Sequence, residues 1–117
     1  MDESIKKYID EKFVRGVTGL FIIASIKRKS TYPYALVKSL KGSKMEIFSG
    51  ITKNDVYNIL NPLEKKGYLK SRVVKGFSRA QKLYSITPGG RRVAETAKKL
   101  LIRHIDATKK LIEEEFE

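Results

Sequence analysis

The sequence predicts a mainly α-helical domain carrying one small β-hairpin, and three observations predict it. Apolar residues recur at three- and four-residue spacing through most of the chain. Strand-type composition is confined to two short runs, Leu69 to Lys75 and Gln81 to Ile86, on either side of GFSRA, whose Gly suits a tight connection. Thr87 and Pro88 then restart a helical pattern that continues nearly to the C-terminus. At 117 residues with 41% apolar composition, the chain has the size of one domain and enough apolar residues for a modest core. It shows no internal repeat and no Pro/Gly/Ser-rich linker.

In chain order, Ile5, Ile9 and Phe13 recur at helical spacing and predict a first helix over Ser4 to Phe13. Gly16 and Gly19 are expected to loosen the chain, with Thr18 capping a second helix whose stretch from Leu20 to Ile26 is apolar on nearly all sides. TYPYALVKSLKG reads as the next helix, with Thr31 or Tyr32 as cap and Pro33 in the first turn. Leu36, Val37 and Leu40 would face inward, and Gly42 would stop it. Met45 to Phe48 is short and reads as a small strand.

Thr52 is expected to cap the following helix, with Asp55 completing a capping box. Val56, Ile59, Leu60 and Leu63 form its buried stripe, and Gly67 ends it. Pro62 should kink or divide this helix, because it removes the bond to the carbonyl of Asn58. In the last helix Ala97, Leu101, His104, Thr108 and Leu111 keep a spacing of four and three, widened by Ala94, Leu100, Ile105 and Ile112. That stripe is wider than one small domain needs, which points to a second copy of the chain.

Charge is strongly unbalanced, with 25 Lys plus Arg against 13 Asp plus Glu and a net charge of +12, so a polyanionic partner is favoured. It is also polarised. From Lys65 to Arg92 there is no Asp or Glu, whereas acids collect at Asp2, Glu3, Asp10 and Glu11 and again at Glu113, Glu114, Glu115 and Glu117.

Three helices followed by a basic hairpin is the order of a winged helix-turn-helix, in which the third helix enters the major groove and the wing lies on the backbone. Asn pairs with the adenine edge and Lys reaches guanine or phosphate. The expected DNA contacts are therefore Thr52, Lys53, Asn54, Tyr57 and Asn58 on the recognition helix, and Arg72, Lys75, Arg79 and Lys82 on the wing and its flanks. An ordinary solvated helix side is the competing reading of the amides.

Three stretches resemble the PadR family of transcriptional regulators. After its recognition-helix cap the family has a Tyr, then two Leu, then Leu-Glu-x-x-Gly-Leu, and this chain reads TKNDVYNILNPLEKKGYL. The family ends its wing with Lys-x-Tyr-x-Leu-Thr-x-x-Gly, and this chain has KLYSITPGG from Lys82 to Gly90. FVRGVTGLFIIASI is similar to the family's first helix, and the resemblance extends over residues 13 to 92. The chain departs from the pattern at Pro33, where the family has Gly before Tyr, and at Pro62.

The resemblance implies a homodimeric, sequence-specific double-stranded DNA-binding regulator, expected to act as a repressor, in which N- and C-terminal helices exchange contacts between subunits. The division expected is residues 1–15 as a helix in the dimer contact, 16–87 as the winged helix DNA-binding domain and 88–117 as the dimerisation helix. The dimer residues expected are Ile5, Ile9, Ala97, Leu101, His104, Ile105, Thr108, Leu111 and Ile112. Some relatives hold a small-molecule effector in that interface beside Trp; this chain has no Trp, so nothing in it supports one.

Other classes fare worse. The one histidine, His104, lies on the apolar stripe without acids to orient it, and there is no cysteine, so neither an enzyme nor a metal site is expected. The longest apolar run, Leu20 to Ile26 with Ser25 inside it, is too short to span a bilayer and too deep in the chain for a signal peptide, so a cytoplasmic protein is expected. No cofactor is expected. The stronger rivals are a winged-helix module binding protein or RNA, and a nonspecific DNA-binding protein.

Overall fold

The computed structural model describes residues 2–76 and 79–116. Its elements are α1 (Glu3–Arg28), α2 (Pro33–Lys41), a single 3-10 turn (Glu46–Phe48), α3 (Lys53–Lys65), β1 (Leu69–Lys75), β2 (Ala80–Ile86) and α4 (Pro88–Glu115). The fold is mainly helical with one antiparallel hairpin, a winged helix, as the sequence predicts. None of the helices is long and apolar enough to cross a membrane among the described residues.

Two expected helices are in fact one. α1 runs unbroken through Gly16 and Gly19, and its cap is Asp2, whose carboxylate accepts from the Ser4 amide at 2.8 Å. Thr18 is buried mid-helix, and its hydroxyl donates to the Val14 carbonyl at 2.6 Å instead of capping anything. Each helical Gly costs about 1 kcal/mol relative to Ala, and packing offsets this. A Cβ on Gly19 would sit 3.8 Å from Ile59 Cγ2, an ordinary van der Waals contact, so no close approach requires glycine there.

The core is built from Ile22, Ile23 and Ile26 of α1, Leu36 and Leu40 of α2, Val56 and Leu60 of α3, Leu69 and Tyr84 of the hairpin, and Ala94 of α4, with Phe48 and Ile51 from the connection. The expected strand over Met45 to Phe48 is the 3-10 turn instead: the Phe48 amide donates to Met45 at 3.0 Å, and the turn drops the Phe48 ring into the core. Thr31 supplies the third-strand pairing, as an isolated antiparallel bridge to Tyr84 on the outer edge of β2. Pro62 does not divide α3. It is exposed, and the helix closes beyond it through Lys66 N to Pro62 O at 3.0 Å, with Gly67 at φ +82 as the stop. Only one amide is missing near the C-terminal end, and the packing of Leu60 and Leu63 holds both sides of it together.

The start of α3 is fixed by a complete capping box: the Asp55 amide donates to Thr52 Oγ1 at 3.1 Å and the Thr52 amide to Asp55 Oδ2 at 2.9 Å. Thr52→Ala is expected to cost about 1 kcal/mol, lowering the melting midpoint by roughly 4–8 °C. A thermal melt followed by circular dichroism checks it, with Thr52→Ser remaining at the wild-type midpoint; an unshifted Ala variant would show that the cap contributes nothing.

Candidate nucleic-acid interface

The capping box leaves Lys53, Asn54, Asn58 and Asn61 exposed along α3, with Val56 and Leu60 buried behind them. These side chains do not all point the same way. At 100° per residue Asn54 and Asn61 share the centre of the exposed face. Lys53 and Tyr57 turn toward one flank, where the Lys53 ammonium lies 5.9 Å from the Tyr57 ring centroid, within cation–π range. Tyr57 is half-buried and packs against the core, so its ring positions Lys53 as much as it faces outward. Asn58 turns to the other flank and lines a groove of about 1240 Å³ between α3, the 3-10 segment and the N-terminal half of α1, shared with Lys6, Lys7, Asp10 and Arg15. Thr52 holds the cap and does not extend from the face.

The wing residues divide as well. The register pairs Val73 with Lys82, Lys75 with Ala80 and Arg72 with Leu83. Directly opposed residues share a sheet face, so Lys75 and Lys82 continue the face that, nearer the helices, buries Leu69 and Tyr84, whereas Arg72 lies on the other face with Lys70. Arg79 stands at the distal end, where its carbonyl accepts from the Gly76 amide at 3.3 Å; Phe77 and Ser78 of the expected GFSRA connection lie outside the described residues. All four cations are exposed. The nearest acid, Glu64, is engaged by the Ser71 hydroxyl at the base of the hairpin. Burial raises the pKa of the Tyr84 phenol, with Glu64 and Tyr57 adding to the effect, so Tyr84 stays neutral and serves packing.

The expected dimer residues also fall into two groups. Ala97 and Leu101 are half-buried within their own subunit, Leu101 against the core. Ile5, Ile9, Ile105, Leu111 and Ile112 are bare, each with 45–58% of its surface exposed, and Thr108 is exposed beside them. His104 lies at the edge of an apolar cleft of about 560 Å³ between α1, α3 and α4. The sequence reading left out Tyr8, Ile102 and Phe116, which are bare too, and Tyr34, exposed on α2. Tyr34 carried a signal in its spacing, since it falls on the opposite side of α2 from Leu36 and Leu40. Among the described residues no cluster of acids and His could hold a metal.

Comparison with known proteins agrees with this architecture. The transcriptional regulator PadR-like family matches over residues 22–96. A PadR family transcriptional regulator from Eggerthella lenta superposes with a TM-score of 0.84 at 29% identity, covering 95% of each chain. A transcriptional regulator from Clostridium thermocellum gives 0.69 at 25% identity, over 91% of this chain and 99% of that one. A PadR-like regulator from Bacillus cereus gives 0.72 at 20% identity over 86% and 96%, a likeness of fold. No curated protein matches the sequence.

Proposed function

The chain belongs to the PadR-like family of transcriptional regulators, and from that premise we propose that it binds double-stranded DNA sequence-specifically as a homodimer and represses by occupying its site. The observation that carries this reading is the juxtaposition of an exposed amide face, on a helix with a fully capped N-terminus, with an acid-free hairpin carrying five exposed cations. α3 is the recognition helix, with Asn54 reading a base edge and Lys53 reaching guanine or phosphate. Asn58 stands at the margin, toward α1. Lys75, Arg79 and Lys82 lie on the backbone, with Arg72 on the opposite flank of the wing. The bare apolar faces of α1 and α4 meet their counterparts in a second copy, which sets two recognition helices on successive major grooves.

Binding to a duplex selected from a random pool, compared with a scrambled duplex across a salt series, tests the reading. The wild type should prefer the selected duplex by roughly 10³ or more. Asn54→Ala should cost about 1–3 kcal/mol on the selected duplex and little on the scrambled one. Arg79→Ala should weaken both alike and lower the slope of log K against log salt by roughly one unit. No preference in the wild type, with only a salt slope, would replace this reading with nonspecific binding.

A further inference from the structure

We infer that Glu64 is a positioning residue for DNA reading: its carboxylate, on the recognition helix, receives both strands of the wing, Ser71 of β1 directly and the Tyr84 hydroxyl of β2 through one buried water. The inference rests on the DNA reading above and adds what sets the wing against α3.

Two groups are otherwise unexplained. Tyr84 has 0% of its surface exposed, and its hydroxyl has no hydrogen-bond partner among the described residues. A buried polar group left unpaired is costly, and a Phe would fill the same space without that cost. Packing accounts for the ring and not for the oxygen. Glu64 stands in the last turn of α3, where the helix dipole disfavours a carboxylate. Local helix chemistry gives it no reason to be there.

Strand register brings the two together. Ser71 and Tyr84 are directly opposed, so their side chains leave the same sheet face about 5 Å apart. The Ser71 hydroxyl donates to Glu64 Oε2, which leaves Oε1 to accept from a second donor. Burial raises the Tyr84 pKa most and the Glu64 charge next, with Tyr57 after it, so both groups of α3 lie within electrostatic reach of that phenol. A water accepts from the phenol and donates to the carboxylate, and Tyr57 gives it a third polar neighbour.

The tie extends to the reading end of the helix. Lys53, Tyr57 and Glu64 fall within about 40° of one another around α3, and the Lys53 ammonium lies over the Tyr57 ring. Tyr84 also exchanges backbone hydrogen bonds with Thr31, at 3.0 and 2.9 Å, so β2 is held by Thr31 on its outer edge and by Glu64 from α3. On a selected duplex the Asn54 base contact and the wing's phosphate contacts must be made together, so the angle between α3 and the hairpin matters there. On a scrambled duplex the wing can hold phosphates in any register.

The test combines thermal melts of the full chain with fluorescence anisotropy on the selected and the scrambled duplex, at a temperature where circular dichroism shows every variant folded. Tyr84→Phe should lower the melting midpoint by about 4–8 °C and the preference for the selected duplex by roughly 2- to 10-fold. Glu64→Ala should lower the preference by the same factor. Glu64→Gln keeps an oxygen for Ser71 and loses only the charge, so it should bind both duplexes more tightly with the preference retained. An unchanged or raised midpoint in Tyr84→Phe would show the hydroxyl to be unpaired and overturn the inference. Wild-type preference in Tyr84→Phe and Glu64→Ala would overturn it too, reducing Glu64 to a structural role. Either result leaves the DNA reading standing, whereas a wild type without preference removes that reading and the positioning role with it.

Discussion

Gly90→Ala should collapse the domain. Gly90 lies in the first turn of α4, and a Cβ built there would fall 2.0 Å from the Tyr68 carbonyl oxygen and 2.8 Å from Ile86 Cγ1. The obstacle is backbone, and that backbone is held in place. The Tyr68 carbonyl accepts from the Thr87 amide at 3.1 Å and from the Thr87 hydroxyl at 3.0 Å, and the same hydroxyl accepts from the Gly90 amide at 3.0 Å. Relief would require α4 to move off the base of the hairpin, breaking these bonds together. Overpacking of a side chain into a core costs about 1–3 kcal/mol, and a locked backbone clash belongs to the exceptional class above roughly 4 kcal/mol. Small domains have only about 5–15 kcal/mol in total.

The adjacent glycine is the control. A Cβ on Gly89 meets nothing closer than 3.8 Å, so Gly89→Ala should leave stability unchanged or raise it by up to about 1 kcal/mol. Denaturant melts of the two variants decide the matter, and equal midpoints for both would sink the close-approach argument.

Ile105→Asp should dissociate the proposed dimer. Ile105 is 45% exposed in the subunit and makes no part of its core, so the substitution leaves the domain folded. Leu101 would be a poorer probe, because it packs against its own core and a charge there would damage fold and interface together. In a two-fold interface the same position occurs twice. An unpaired charge in such an interface costs about 3–5 kcal/mol, or two decades or more in dissociation constant. Sedimentation equilibrium should show the wild type as a dimer and Ile105→Asp as a folded monomer at micromolar concentration. Affinity for the selected duplex should fall with it, because a single half-site keeps only part of the binding energy. Lys99→Asp, six residues earlier on α4 and about 120° around the helix from Ile105, should remain dimeric. A wild type that sediments as a monomer would remove the dimer reading outright.

The sequence by itself determined most of the element boundaries. Pro33 and Gly42 bracket α2, Thr52 and Gly67 bracket α3, and Thr87-Pro88 begins α4, because caps, first-turn prolines and stop glycines act within a few residues of themselves. The family resemblance, placed at residues 13 to 92, overlaps nearly all of the 22–96 match, since it rested on the same local motifs. What depended on distant atoms was decided only in the tertiary structure. Gly16 and Gly19 read locally as a break, yet α1 is continuous because the burial of Val17, Ile22, Ile23 and Ile26 along it offsets their propensity. Met45 to Phe48 has strand-like composition but turns in 3-10 form, with Phe48 anchored in the core. Pro62 breaks a local rule, and α3 is held across it by Leu60 and Leu63. The same holds for the interface: helical spacing put the amides on an outer face, but the turn of Asn58 toward α1 depends on where α1 runs, and the division of the wing cations depends on strand register. Spacing within a segment is a property of the local chain, whereas what a side chain faces depends on residues far along it.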